Sequence, residues 1–175
     1  MTKLRDTRRS AVYEAESIVR KMLDRADERG LRTVEVAGSH VTLPIERRFA
    51  SIASVQDYID AVLGLGWVRA RWERAAVPVR VRARAGNSAA HYERDCATIA
   101  LPEHRSNTAW AFREMVVLHE LAHHLDLHDP DDATEGAHGP AFVERFLTLV
   151  GEIIGPEAAF ALQATGITAP PPSRG

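Results

Sequence analysis

His119-Glu120-Leu121-Ala122-His123 is the segment of this 175-residue chain that says most about its fold. A helix turns about 100° per residue, so side chains four positions apart lie nearly above one another. His119 and His123 can therefore direct neutral imidazole nitrogens at one ion. Glu120 lies on an adjacent face, from which it can reach a water on that ion. The spacing predicts a helical metal site suited to hydrolysis.

The residues before this segment predict that it lies on a helix. Asn107 or Thr108 can cap a run that begins at Ala109 and leads directly into the motif. Apolar residues recur at helical spacing along it: Ala111, Met115, Leu118, Ala122 and Leu125. The two histidines fall on a neighbouring face, which favours metal binding over a solvated or core-packed pair.

A third ligand is expected, because two histidines hold zinc weakly and catalytic sites usually have three protein ligands. His138-Gly139-Pro140 precedes a second stretch of helical periodicity: Phe142, Val143, Phe146, Leu147, Val150 and Ile153. Proline is tolerated in the first turn of a helix. We therefore expect His138 to stand at a helix N-terminus and to be the third ligand.

Other candidates for the third ligand lie closer along the chain: His124, Asp126, His128, Asp132 and Glu135. His124 points about 100° away from His123, and no glycine ends the helix to turn His128 back. Asp126 is expected either to orient a ligand histidine or to be a solvated residue at the helix end. The acidic segment 126–137 predicts a loop.

HELAHH (119–124), the acidic loop and HGPAF (138–142) resemble the SprT-like and related minigluzincin branch of zinc metallopeptidases. There the third ligand is the histidine of an HGxxF segment. The stretch AHYERDCATIALP (90–102) is most similar to an uncharacterised family of HExxH metallohydrolases, and the resemblance extends over about residues 90–147. It implies a zincin-like fold with these functional residues: zinc ligands His119, His123 and His138, and Glu120 as the catalytic base.

The cysteine content departs from that branch. SprT-like proteins often carry a cysteine-rich zinc ribbon, whereas this chain has only Cys96, so transfer of a DNA-repair role is weakly supported. The absence of a Met-turn or an HExxHxxGxxH pattern excludes the metzincin branch. Cys96 lies in an expected strand and is predicted to be a small core residue.

The chain length fits one domain, expected over 1–168, with a disordered tail at 169–175. One cysteine, no apolar signal segment and no membrane-length apolar run predict a cytoplasmic protein without a membrane partner. The expected elements form an α+β fold with a small, mostly antiparallel sheet. The first are a helix at about 6–29, a hairpin of Thr33–Val36 and His40–Leu43, and a helix that is capped at Ser54 and ends near Leu63. They are followed by two strands, Val77–Ala85 and His91–Leu101, joined through residues 86–88. The catalytic part is expected at about 77–155.

The segment from His91 to Thr98 is expected to be an edge strand that aligns an extended substrate by backbone pairing. His91 and Tyr92 could place a hydrogen-bond donor near the developing oxyanion. The alternative is that Tyr92 packs in the interior and His91 is exposed.

An arginine-rich stretch offers an argument for nucleic-acid binding. It contains Arg69, Arg71, Arg74, Arg80, Arg82 and Arg84, and Trp67 and Trp72 flank its start. The whole chain, however, has twenty Arg against two Lys and a net charge of −2, which favours a solvated strand face with paired arginines.

The sequence thus predicts a zinc-dependent metallopeptidase with Glu120 as general base. Two alternatives remain: a zinc-dependent hydrolase of a small amide or ester, and a nucleic-acid-associated protein whose metal is structural. A structural site would be closed by a fourth ligand, such as His128, Asp132 or Glu135.

Overall fold

The computed structural model describes residues 6–128 and 136–168. The tail expected at 169–175 lies outside the described residues, as does the acidic segment 129–135, with the rival ligands Asp132 and Glu135. Helices and small sheets make up the described part, which confirms the predicted α+β class. No helix in that part of the chain is long and apolar enough to span a membrane.

The chain contains two compact units, the central unit (47–129) and the terminal unit (1–46 with 130–175). The single domain expected over 1–168 stays a prediction. The helices are α1 (Arg9–Arg29), α2 (Ile52–Gly64), α3 (Gly66–Arg71), α4 (Glu114–His124), α5 (Pro140–Leu149) and α6 (Pro156–Ala164). The strands are β1 (Thr33–Val36), β2 (Ser39–Thr42), β3 (Arg80–Arg84), β4 (His91–Glu93) and β5 (Thr98–Pro102). Short 3-10 helices cover Glu73–Ala76, Arg94–Cys96 and Ser106–Phe112, and a π-helical segment, Val150–Ile154, follows α5.

In the terminal unit, α1 packs against α6 and ends at Gly30, whose left-handed backbone (φ 64°) suits glycine after a helix. The predicted N-terminal helix is therefore confirmed from Arg9 onward. The buried face of α1 contains the carboxyl group of Glu16, whereas the apolar side chain of Ile18 is 40% exposed.

The predicted hairpin in this unit is also confirmed. β1 and β2 pair antiparallel, with Val36 opposite Ser39. Ala37 and Gly38 both have positive φ (49° and 78°), as the tight turns that suit twisted strands require. The second strand begins at Ser39 rather than His40.

The central unit contains a three-stranded sheet in the order β3-β5-β4. β5 is buried along its whole length and pairs parallel with β3 and antiparallel with β4. Of the two strands expected to be joined through residues 86–88, the first contains β3 and the second contains both β4 and β5, and β3 pairs with β5 rather than with β4. Of the three strand pairings described, two are antiparallel.

The expected single strand from His91 to Leu101 is interrupted by the 3-10 helix Arg94–Cys96, after which Ala97 has φ 46°. The interruption turns the chain back, so that β4 and β5 form a hairpin. Cys96 was expected to lie in the core on the assumption that the strand continues, and the interruption removes that assumption. Cys96 is exposed, and the prediction of a buried core cysteine is wrong.

The helix α2 begins one turn earlier than expected. Ser51 is its N-cap and forms a reciprocal capping box with Ser54, each hydroxyl accepting the other residue's backbone N–H at 3.1 Å. The predicted cap at Ser54 is therefore wrong, whereas the end near Leu63 is confirmed, with the last helical residue at Gly64.

Candidate metal centre

The helix α4, which carries the HExxH motif, begins at Glu114 rather than Ala109. The expected first turns form the 3-10 helix Ser106–Phe112, in which Thr108 Oγ1 accepts the N–H of Arg105 at 2.8 Å. The helix then breaks because the backbone on either side of Arg113 pairs with residues 47–49. Phe49 donates to Phe112 O (2.8 Å), and Glu114 donates to Arg47 O (3.0 Å).

A buried carboxylate holds the start of α4. Glu114 is completely buried and accepts the backbone N–H of Arg47 (3.0 Å), the Arg47 guanidinium (2.8 Å) and the Tyr58 hydroxyl (2.7 Å). A negative charge in the first helical turn also interacts favourably with the helix dipole. These contacts hold α4 five residues before His119, and no pattern near Glu114 in the sequence predicts them.

The helix α4 is buried on nearly all sides. Its fully buried apolar residues are Met115, Val117, Leu118, Leu121 and Ala122. Within this apolar surrounding His119 is 1% exposed and Glu120 is 4% exposed. Burying a polar group costs free energy unless it is hydrogen-bonded or binds a metal, so the burial of His119 and Glu120 is consistent with a functional site.

The two histidines of the motif face each other. The Nε2 atoms of His119 and His123 are 3.2 Å apart, and their rings are inclined at 63°. Two nitrogen ligands of a tetrahedral zinc ion, each about 2.0–2.1 Å from it, lie about 3.3 Å apart. The pair therefore has the spacing of two ligands of one ion.

His138 stands at the N-terminus of α5, as predicted, one residue before the N-cap. Gly139 is the N-cap of α5, and Pro140 occupies its first turn. His138 is 5% exposed, and its ring contacts the rings of Tyr13 (centroids 5.5 Å apart) and Phe142 (4.8 Å). Its Nδ1 is 2.6 Å from a carboxylate oxygen of Asp6, a residue that no motif in the sequence singles out.

His119, His123 and His138 together could hold a metal ion. Each offers one ring nitrogen, and these nitrogens lie within 4.8 Å of one another. Three imidazoles suit zinc, and also copper, iron or nickel. Among the described residues, Asp126 and His128 are not members of this group. The donor set therefore fits the predicted three-histidine site.

Two of the rival ligands contact each other. The backbone N–H of His128 donates to Asp126 Oδ1 at 3.1 Å, and the His128 ring nitrogen lies 3.2 Å from the same oxygen. His128 is largely exposed. A role for Asp126 in orienting a ligand histidine stays a prediction.

His124 has a structural role, consistent with its exclusion as a ligand. Its Nε2 is 3.0 Å from Arg74 O and 3.1 Å from Val77 O, so this nitrogen carries the hydrogen. Its Nδ1 accordingly accepts the Tyr92 hydroxyl at 2.8 Å. Burial, reinforced by the charge of Arg74, lowers the pKa of His124 to about 4. His124 is therefore neutral at pH 7 and connects the end of α4 to β4 and to the 3-10 helix before β3.

The two candidate substrate contacts on β4 have partners within the central unit. Tyr92 accepts from the Arg74 guanidinium at 3.0 Å in addition to donating to His124, and burial raises its pKa. The His91 ring lies 3.0 Å from Glu93 Oε1 and is partly exposed. These contacts agree with the alternative in which Tyr92 packs, and the role of either side chain towards substrate stays a prediction.

The arginine-rich stretch is used largely for local contacts. Three of the arginines donate hydrogen bonds: Arg69 to Leu63 O, Arg74 to His124 O and the Tyr92 hydroxyl, and Arg84 to Ala89 O. Arg71 lies over the Trp72 ring, and Arg82 forms an ion pair with Glu93. Arg80 is exposed. Because most of these side chains have protein partners, the stretch gives little support to a phosphate-binding surface.

A second carboxyl group near His138 was also missed. Glu16, on α1, is 2% exposed, and burial raises its pKa to about 8, although Arg20 and His138 act in the opposite direction. Its place in the sequence carried a signal, because it falls between Ala15 and Val19 on the apolar stripe of α1. A carboxyl group on the buried stripe of an amphipathic helix is a candidate for a functional role.

Comparison of the chain with family models, with curated proteins and with solved structures finds no match.

Proposed function

We propose that this protein is a zinc-dependent metallohydrolase, and specifically a metallopeptidase, with His119, His123 and His138 as zinc ligands. The observation that carries the proposal is the convergence of three histidine nitrogens to within 4.8 Å on a buried frame. The 3.2 Å spacing of the His119 and His123 nitrogens adds support, since it matches the edge of a tetrahedral site.

The chemistry follows from the residue beside the first ligand. Zinc, when bound, supplies a Lewis acid and lowers the pKa of a coordinated water towards about 7. Glu120 takes the proton from the attacking water and returns it to the leaving amine. Its burial supports this role, because a carboxylate shielded from bulk water exchanges protons with the reacting groups rather than with solvent.

An extended peptide is the substrate class that the sheet favours. β4 lies at an edge of the three-stranded sheet and contacts α4. An edge strand presents backbone N–H and C=O groups that can pair with an added strand. This position supports peptide hydrolysis over hydrolysis of a small amide or ester, which needs an enclosed pocket rather than a strand edge.

Metal content tests the proposed ligands. We expect about one zinc per chain in the purified protein by plasma mass spectrometry, and loss of that zinc in His119→Ala and His138→Ala. The exposed His40, on β2, supplies a control, and His40→Ala should keep its metal. Full zinc content in His138→Ala would refute the third ligand, and failure of the wild type to bind zinc would refute the metal site.

Turnover tests the base and the substrate class. Glu120→Gln should keep zinc and lose cleavage of unstructured peptides, because the amide cannot take up a proton. Cleavage of small esters by the zinc-loaded wild type, without cleavage of any peptide in a diverse mixture, would favour the small-molecule alternative. Equal peptide cleavage by wild type and Glu120→Gln would remove Glu120 from the mechanism.

A further inference from the structure

The contact between Asp6 and His138 is short and shielded. Asp6 Oδ2 lies 2.6 Å from His138 Nδ1, and the side chains are 22% and 6% exposed. Of the two ring nitrogens, Nδ1 is therefore the one that donates to a carboxylate. Histidine ligands of metals typically make this contact with the nitrogen that does not bind the ion, which fixes both the tautomer and the direction of the ring.

The backbone on both sides of this contact is constrained. A Cβ added to Gly136 would lie 2.8 Å from Asp6 Cα, a distance that real side chains do not reach, so only glycine allows Asp6 this position. Gly136 is also held on the other side, because its carbonyl accepts the N–H of Gly139 at 2.8 Å. The segment before α5 is thus shaped to receive Asp6 beside His138.

Stability alone does not account for this arrangement. Asp6 Oδ1 is buried and has no hydrogen-bond partner among the described residues. A buried carboxylate oxygen without a partner costs free energy, and such groups in native proteins call for a functional explanation. A contact selected only for stability would satisfy both oxygens or would leave the carboxylate in water.

We infer that Asp6 is a positioning residue for the metal centre. Its carboxylate holds the Nδ1–H of His138, which leaves Nε2 as the metal-binding atom, while the Tyr13 and Phe142 rings restrict the plane of the imidazole. The inference rests on the proposed three-histidine site. It makes the segment preceding α1 a functional part of that site, although Asp6 lies 132 positions from its partner.

Zinc affinity, measured by competition with a chromophoric chelator, tests the role of Asp6. Asp6→Ala should weaken zinc binding about 10- to 100-fold, as loss of a carboxylate behind a ligand histidine typically does. Asp6→Asn should weaken it less, because the amide oxygen still accepts the Nδ1–H. The matched control is Asp27→Ala, which removes another carboxylate of the terminal unit, paired with Arg32 at 2.5 Å, and should leave zinc affinity unchanged.

A second substitution tests the same contact by changing Gly136, the residue that packs against Asp6. Gly136→Ala should displace Asp6 and weaken zinc binding, and its effect should be smaller in an Asp6→Asn background than in the wild type. Gly64→Ala is its control, since a Cβ at Gly64 meets no atom within 4 Å. The visible absorption spectrum of the cobalt-substituted protein should change in Asp6→Ala, because the orientation of one ligand ring changes.

The outcomes separate this inference from the function on which it rests. Zinc affinity within twofold of wild type in folded Asp6→Ala and Asp6→Asn, together with loss of zinc in His138→Ala, would overturn the role of Asp6 and leave the metal site intact. Retention of zinc in His138→Ala would overturn the site itself. If Asp6→Ala does not fold, the isosteric Asp6→Asn variant and Gly136→Ala decide the question by the same measurement.

Discussion

The helix α4 and the N-terminus of α5 present their histidines by different means. On α4 the spacing of His119 and His123 follows from the helix itself, and burial holds the whole helix in place. His138 lies just outside α5, and its direction depends on a turn, two aromatic rings and a carboxylate far away in sequence. The first arrangement is robust to change in its neighbours, whereas the second can be altered by a single substitution.

The contacts of Glu114, which hold the start of α4, provide the test with the largest expected effect. Glu114→Ala should lower the free energy of unfolding by about 2–4 kcal/mol, because it leaves the Tyr58 hydroxyl and the Arg47 backbone N–H without their acceptor. Urea unfolding of the metal-free protein measures the change. Glu73→Ala, at an exposed position in the same unit, should change it by less than about 0.5 kcal/mol.

The same variant tests the comparison between the two regions. If helix geometry alone sets the His119–His123 pair, folded Glu114→Ala should bind zinc with nearly the wild-type affinity. A loss of zinc affinity as large as that expected for Asp6→Ala would show that the geometry of the His119–His123 pair depends on its surroundings as strongly as the orientation of His138 does.

The sequence was most informative where structure is local. The hairpin β1-β2, the end of α1 at Gly30, the start of α5 after Gly139 and the i, i+4 histidine pair all depend on neighbours within a few residues. Propensity, capping and helical spacing are sufficient to predict such features.

The errors arose where a distant segment decides the outcome. β5 pairs parallel with β3 because a fully buried strand occupies the middle of the sheet, and no local pattern states which strand will lie beside it. α4 begins five residues late because the backbone of residues 47–49 pairs with the chain around Arg113. Asp6 was missed for the same reason, since nothing near it in sequence points to His138.

An effect of intermediate size is expected for Tyr92, and it distinguishes a structural role of the side chain from a role in stabilising the developing oxyanion. Tyr92→Phe removes the donor to His124 Nδ1 and the acceptor for Arg74, and should cost about 1–2 kcal/mol of unfolding free energy with zinc affinity unchanged. Denaturant unfolding and peptide turnover should be measured together. An unchanged stability with a lower kcat would instead favour the hypothesis that the hydroxyl stabilises the developing oxyanion.

The smallest expected effect concerns Glu93, on the edge strand β4. Hydrogen bonds from Arg82 and then His91 lower its pKa from 4.5 to about 2. Because the folded-state pKa is depressed, the stabilisation is present above pH 4.5 and is lost as the pH falls towards 2. Both side chains are partly exposed, so solvent screening limits the contribution to about 0.2–1 kcal/mol.

Glu93→Gln should therefore be less stable than the wild type at pH 7, and the difference should shrink at pH 3. Urea unfolding at the two pH values measures it, with Glu103→Gln, an exposed residue paired with Arg105, as the control. A difference that grows on acidification would reverse the sign and contradict the assigned pairing. Because β4 is the strand on which the proposed peptide would align, peptide turnover in Glu93→Gln also reports whether this ion pair keeps the sheet edge in register for an added strand.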